Sequence, residues 1–100
     1  RSSMTLEITN NGNDSNIVVS GVIRSVEDST QLNEAIESVS TPSLQIVILD
    51  SFSMTSTVIG TLLKCTHAKK INLNIKVHNA RLFTLFDNLN LVGELNIKKV

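Results

Sequence analysis

The chain has 100 residues, of which 41% are hydrophobic and 18% are charged, and its formal net charge is zero. This length suits one compact domain, and the composition is typical of a folded globular protein rather than a disordered one. A balanced charge lacks the basic surface of nucleic-acid binders, and three Phe with no Tyr or Trp offer few platforms for base stacking. We therefore expect no nucleic-acid partner.

The ends and the single cysteine of the chain bear on its location. No apolar run approaches the ~20 residues that span a bilayer, and the first residues are polar, so we expect no membrane insertion and no signal peptide. Residues 1–3, before Met4, resemble the remnant of a cloning tag, and we expect one domain over residues 4–100. With Cys65 alone no internal disulfide can form, which favours a reducing, cytoplasmic setting.

The first third of the chain predicts two strands and a helix. "LEI" at 6–8 alternates and is followed by a turn rich in Asn and Gly. "NIVVSGVI" at 16–23 is the second strand, in which Gly21 marks a bulge or a close backbone approach. A polar helix with one apolar stripe follows, and Ser25 with Asp28 resembles a capping signal.

The remainder of the chain alternates strands with helices. "LQIVILD" at 44–50 is almost wholly apolar, which is typical of a strand covered on both faces by helices. A helical pattern follows it, "LNIKV" at 73–77 alternates as a strand, residues 80–89 form an amphipathic helix, and "ELNIKKV" at 94–100 is a last strand. The order β-β-α-β-α-β-α-β predicts an α/β domain with a mixed, largely parallel sheet flanked by helices and joined by right-handed crossovers.

The same spacings predict the core. The side chains expected to be buried together are Ile46, Ile48, Val58, Ile59, Leu62, Leu82 and Phe86. Phe83 is one turn from Phe86, and we expect it to be exposed enough to anchor a partner. Cys65 is expected to be a small buried side chain.

A cluster of hydroxyl residues follows the third strand, in "DSFSMTSTVIG" at 50–60. Ser and Thr are preferred at helix N-caps, so one hydroxyl at 55–57 is expected to cap the next helix. The N–H groups and positive dipole at a helix start also favour a phosphoryl group, so Ser56 can be both a cap and a phosphorylation acceptor. The cluster follows the carboxyl end of a strand, where α/β sheets carry functional loops, and Asp50 is expected to orient the loop by accepting backbone N–H bonds.

Three segments, in order, resemble the STAS domain (sulfate transporter and anti-sigma factor antagonist). "VVSGVIRSVEDSTQLNEAI" resembles the family's second strand, turn and first helix. "IVILDSFSMTSTVIGTLLK" resembles its signature, an apolar strand and a loop before Asp-Ser-Ser-Gly-Leu-Gly at the start of a helix. "INLNIKVHNARLFTLFDNLNL" resembles its fourth strand and the helix after it, so the resemblance covers nearly the whole chain from about Leu6.

The resemblance implies a phosphoacceptor, because antagonist members are phosphorylated on a serine at the start of the signature helix. With the motifs aligned on their last Gly, Ser56 matches the phosphoacceptor and Thr57 the second Ser. Thr55 stands in place of the motif's Asp, and Val58 in place of its first Gly. The loop before the motif is shorter than the family's, which leaves Ser53 and Thr57 as alternative acceptors.

The resemblance also implies a non-enzymatic bacterial regulator in the cytoplasm that acts in transcription. Its partner would be an anti-sigma factor that is itself a serine kinase of the GHKL type, and a serine phosphatase would reset it. The residues that we expect at the partner-binding surface are Asp50, Ser53, Thr55, Ser56, Thr57 and Phe83.

Two other functions compete with this interpretation. The first is a STAS docking subunit of a lipid-transport ABC complex, which binds the ATPase without being phosphorylated, and the altered Asp and Gly favour it. The second is an enzyme that uses the loop hydroxyls, and it is the weakest because no base or oxyanion motif accompanies them. His67 and His78 show no metal-ligand spacing, so we expect no metal or cofactor. The sequence does not define the oligomeric state.

Overall fold

The structure is a computed structural model that describes residues 4–100, and the expected tag remnant lies outside the described residues. The strands are β1 (Thr5–Asn10), β2 (Asp14–Ser20), β3 (Ser43–Ile48), β4 (Asn72–Val77) and β5 (Ile97–Lys99), and the helices are α1 (Val26–Glu37), α2 (Ser56–His67) and α3 (Ala80–Asn88). They form one sheet in the order β1-β2-β3-β4-β5, with β1 antiparallel to β2 and the other neighbours parallel. The predicted α/β domain with a largely parallel sheet is confirmed.

One isoleucine from every strand lies in a row across the helix-covered face of the sheet. The register places Ile8, Ile17, Ile46, Ile75 and Ile97 side by side, and we call this set the isoleucine row. The four members in β2 to β5 are at most 4% exposed, whereas Ile8, at the sheet edge, is 45% exposed. Because side chains two residues apart share a face, burial of this row fixes the register of the strands.

The opposite face of the sheet carries no helix from residues 4–100, so the expectation that the third strand is covered on both faces is wrong. The strands are added to the sheet in sequence order, so each right-handed crossover steps in the same direction and places its helix on the same face. Residues of β3 accordingly alternate between half-buried and buried. The open face carries amides: Gln45 Nε2 donates to Asn16 Oδ1 at 3.1 Å, and Asn96 Nδ2 donates to Asn74 Oδ1 at 2.7 Å.

The predicted capping signal begins α1. Ser25 Oγ accepts a hydrogen bond from the N–H of Asp28, and the carboxylate of Asp28 accepts one from the N–H of Ser25, which completes a capping box. The N–H of Arg24, and after it that of Ser25, holds the pKa of Asp28 below its ordinary value, because both groups donate to the charged carboxylate. The same kind of local capping begins α3, where Asn79 is the N-cap.

The predicted core is buried with one exception. Six of the seven residues predicted to form the core are at most 1% exposed: Ile46, Ile48, Val58, Leu62, Leu82 and Phe86. Ile59 is half-buried and packs against this cluster. Cys65 is buried as predicted, and burial raises the pKa of its thiol. The last strand is shorter than the predicted residues 94–100. It begins at Ile97, and Leu95 is buried in the turn that precedes it.

Phe86→Ala is expected to lower the free energy of unfolding by about 3–5 kcal/mol, because removal of a fully buried ring leaves a cavity. Phe52→Ala is the matched control and is expected to cause a much smaller loss, since Phe52 is 44% exposed. Urea denaturation followed by circular dichroism measures both. Equal losses would contradict the burial of Phe86.

Candidate functional site

The connection between β3 and α2 meets the connection between β2 and α1 at the carboxyl end of the sheet. Asp50 Oδ2 accepts a hydrogen bond from the N–H of Gly21 at 2.7 Å. Gly21 has φ of +83°, a backbone conformation that glycine adopts readily and other residues rarely do. Asp50 therefore accepts a backbone N–H as predicted, but the donor belongs to the neighbouring connection, so the bond joins the two.

Ser51 is buried, and its hydroxyl links the same two connections through hydrogen bonds. Its Oγ accepts a hydrogen bond from the N–H of Ile23 at 3.2 Å and donates one to the carbonyl of Ser53 at 2.8 Å, and the residue is fully buried. A buried hydroxyl that both accepts and donates is satisfied within the fold. Ser51 therefore shapes the chain that leads into α2. The sequence does not distinguish it from the other hydroxyls of the loop.

Thr55 is the N-cap of α2. Its side chain accepts a hydrogen bond from the N–H of Val58 at 3.4 Å, and its carbonyl accepts one from the N–H of Ile59 at 3.1 Å. The same hydroxyl lies 3.1 Å from the hydroxyl of Ser29, a buried residue of α1. Asp and Thr are both favoured at N-caps, so Thr55 caps α2 as an Asp at the same position could.

The three candidate phosphoacceptors lie in different surroundings. Ser56 is the first residue of α2 and Thr57 the second, and both are exposed, whereas Ser53 is half-buried in the loop before the helix. The first turn of α2 contains no acidic residue, so no side chain of that turn neutralises the positive end of the helix dipole. A phosphate on Ser56 would be stabilised there. The phosphoacceptor role of Ser56, or of its alternatives Ser53 and Thr57, stays a prediction.

Gly60 lies on the exposed surface of α2, one turn beyond Ser56. Glycine in a helix interior is about 1 kcal/mol less favourable than alanine. Apart from its chain neighbours and the backbone of its own helix, a Cβ at Gly60 would meet no heavy atom of the described residues within 4 Å. Packing within the domain therefore does not require glycine at this position.

A shallow groove flanks the loop on its other side. Phe52 and Ser53 line one wall, and Arg81 and Thr84 of α3 line the other. The guanidinium carbon of Arg81 lies 5.5 Å from the centre of the Phe52 ring, a separation that allows a cation–π interaction. Phe83 is half-buried against the core rather than exposed, so the exposed aromatic beside the loop is Phe52. A part for Phe83 in partner binding stays a prediction.

Residues of the loop after β3 and of the start of α2 form a surface at the carboxyl end of the sheet, and all of them are exposed except the half-buried Ser53. We call it the loop-edge surface, and its members are Phe52, Ser53, Ser56, Thr57 and Gly60. Asp50 and Thr55 are also exposed, and their side chains make the hydrogen bonds described above. Among residues 4–100, no three His, Cys, Asp or Glu side chains cluster as metal ligands. Within the same range, no helix combines the length and the apolar character needed to cross a bilayer.

Ser51→Ala is expected to lower the free energy of unfolding by about 1–3 kcal/mol, because it leaves the N–H of Ile23 buried without an acceptor. Ser56→Ala removes the same group five residues away, at an exposed position, and is expected to change stability by about 0.5 kcal/mol or less. Chemical denaturation compares the two variants. A larger loss for Ser56→Ala would show that the roles of the two serines are reversed.

A solved structure shares this fold. The chain is similar to a crystal structure of an anti-sigma factor antagonist from Mycobacterium paratuberculosis, with a TM-score of 0.79 over 98% of this chain and 87% of that one. The two sequences are 17% identical, so the likeness establishes the fold, and the STAS fold predicted from the sequence is confirmed. No protein-family model matches the sequence, and no curated protein matches it.

Proposed function

We propose that this chain is a regulatory STAS domain that works as an anti-sigma factor antagonist, binding a protein through the loop-edge surface and releasing it when Ser56 is phosphorylated. Its partner is an anti-sigma factor that is also a serine kinase of the GHKL type, and a serine phosphatase resets the switch. The setting is the bacterial cytoplasm, and the output is regulation of transcription. The observation that carries the proposal is the position of Ser56, an exposed hydroxyl on the first residue of α2.

The charge of a phosphate explains how the modification acts as a switch. At Ser56 the N–H groups and the dipole of α2 stabilise an added charge of about −1.5 to −2, so the fold tolerates the phosphate. A partner that packs flat on the loop-edge surface must remove water from the same phosphate, which is unfavourable without a compensating cation. The phosphorylated protein therefore stays folded and loses its partner.

Gly60 and Phe52 support contact with a partner at this surface. A glycine that packing does not require, one turn from Ser56, allows the backbone of a partner to approach α2 closely. Phe52 adds an exposed aromatic ring beside the loop, and aromatic residues are enriched in protein interfaces. Phe52 precedes Ser56 by four residues in the chain, and Gly60 follows it by four.

The hydrogen bonds of the loop support a non-enzymatic role. A nucleophilic serine needs a base within hydrogen-bond reach. Ser51 bonds to backbone groups, and Thr55 bonds to a backbone N–H and to the hydroxyl of Ser29. These contacts cap a helix and shape a loop, and they do not activate a nucleophile.

The alternative function is docking on a transporter ATPase without phosphorylation. It is suggested by two departures from the family motif, Thr55 in place of Asp and Val58 in place of Gly. Both have an explanation within the fold. Thr55 caps α2 as Asp would, and Val58 is fully buried in the core. Neither change alters the exposed hydroxyl of Ser56, which favours the phosphorylation switch over the docking subunit.

Ser56→Asp is expected to weaken partner binding and to leave the fold intact, because an acidic side chain is tolerated at a helix start but must be desolvated in the complex. Ser56→Ala is expected to keep the partner bound and to abolish phosphorylation. The experiment captures the partner from an extract of the native host, maps phosphosites by mass spectrometry and measures each affinity by calorimetry with the purified partner.

Ser40→Asp is the matched control, because it adds the same charge at an exposed site before β3, at the opposite end of the sheet. It is expected to leave partner affinity unchanged. Equal affinities for the wild type, Ser56→Asp and the phosphorylated protein would exclude the switch. Capture of a transporter ATPase in place of a kinase would establish the docking alternative.

Gly60→Ala is expected to raise the free energy of unfolding by up to about 1 kcal/mol, since alanine is the better helix former and its Cβ enters open space. The same change is expected to weaken partner binding, because the methyl group stands where the partner approaches. Gly93→Ala, in the turn before β5, is the control and is expected to leave binding unchanged. Unchanged affinity for Gly60→Ala would place the interface away from this part of α2.

A further inference from the structure

The two edges of the sheet differ in how they are protected. β5 is three residues long and carries Lys98 and Lys99, and short strands and lysines are common protection against edge-to-edge pairing. All six residues of β1 continue a regular antiparallel register with β2, with no proline, glycine or bulge, and its one charged residue is Glu7. β1 is therefore an edge that can accept another strand.

Three residues of β1 direct their backbone groups away from the sheet. The carbonyl of Val19 accepts a bond from the N–H of Leu49, so odd-numbered residues of β2 face β3 and even-numbered residues face β1. The β1 residues that lie opposite the even-numbered ones are Thr5, Glu7 and Thr9. The outer edge therefore presents the N–H and C=O groups of Leu6, Ile8 and Asn10.

Ile8 places an apolar side chain at the middle of this outer edge. It is the last member of the isoleucine row and is 45% exposed, while its neighbours in the row are buried. A groove between β1 and α1 lies beside it, with Leu6 and Ala35 among its lining residues. A strand added here would pair with unbonded backbone groups and cover an exposed apolar side chain in one step.

We propose that β1 pairs in antiparallel fashion with β1 of a second copy of this chain, about a two-fold axis at Ile8. In this register the two Ile8 side chains lie opposite each other, Leu6 lies opposite Asn10 of the second copy, and Glu7 lies opposite Thr9. The isoleucine row then continues through both copies, with all helices on one face of a single sheet.

The charges of the chain favour a second copy as the added strand and favour Ile8 as the position of the two-fold axis. The axis at Ile8 separates the two Glu7 carboxylates, whereas an axis at Glu7 would place them directly opposite each other as a close, non-hydrogen-bonded pair of like charges. Two copies with zero formal net charge approach without long-range repulsion. One strand pair buries less than the ~1,200 Å² of a stable interface, so the dimer dissociates on dilution.

The dimer does not depend on the proposed function. β2 separates β1 from β3 in the sheet, and α2 follows β3, so the loop-edge surface stays accessible in both copies. Ser56→Asp is accordingly expected to leave self-association unchanged. The proposed switch and the proposed dimer can therefore fail separately.

Sedimentation equilibrium over a dilution series of the purified chain tests the proposal. The wild type is expected to shift from dimer to monomer on dilution. Ile8→Lys is expected to be monomeric throughout, because it places two ammonium groups opposite each other, while its long side chain is tolerated at an exposed position in the monomer. Thr9→Lys is the matched control: its added charge faces Glu7 of the second copy, so this variant is expected to dimerise at least as well as the wild type.

Cysteine cross-linking in a Cys65→Ala background tests the register. Cα atoms of directly opposed, hydrogen-bonded residues are about 5.5 Å apart, which a disulfide can span, so Ile8→Cys is expected to form a covalent dimer on mild oxidation. Thr9→Cys is expected to form none, because its sulfur faces Glu7. A wild type that is monomeric throughout, a monomeric Thr9→Lys, or faster cross-linking of Thr9→Cys would overturn the proposal.

Discussion

The rest of the structure depends on the isoleucine row. The residues next to it in the chain include Asn16, Gln45 and Asn74, which face the open side of the sheet. Because side chains alternate between faces, a slip of one residue in a strand would expose its isoleucine and bury an amide. The row therefore aligns the carboxyl ends of β2 and β3. That alignment brings Asp50 within hydrogen-bond distance of Gly21 and positions the start of α2.

The hydroxyls after β3 are alike in sequence and different in what they do. Ser51 is used inside the fold, and Thr55 is used to cap α2 and to contact α1. Ser56 follows the N-cap, lies on the first turn of α2 and is exposed to solvent. Three similar side chains therefore have three different roles: Ser51 holds the loop together from inside the fold, Thr55 caps a helix, and Ser56 presents a hydroxyl that an enzyme or a partner can reach.

The sequence predicts those features that depend on neighbouring residues. The capping box of Ser25 and Asp28 and the alternation of strands with helices follow from local spacing, and both are present. The one-sided cover of β3 does not follow from its own residues, because it depends on the order in which strands join the sheet. The exposure of Phe52 rather than Phe83 is likewise non-local, since it depends on where α3 lies beside the loop.

The spacing of the isoleucine row has a consequence for folding kinetics. The register pairs β2 with β3, and β3 with β4, at residues 29 positions apart in the chain, while the β1–β2 hairpin closes through a short turn. Closure of a long loop loses more chain entropy than closure of a hairpin. The hairpin is therefore the strand pairing that loses the least chain entropy, whereas each parallel pairing has to close a segment that contains a helix. We therefore expect closure of these crossovers to be slower than formation of the hairpin, so that the outer edge of the hairpin is accessible to other chains while the domain folds.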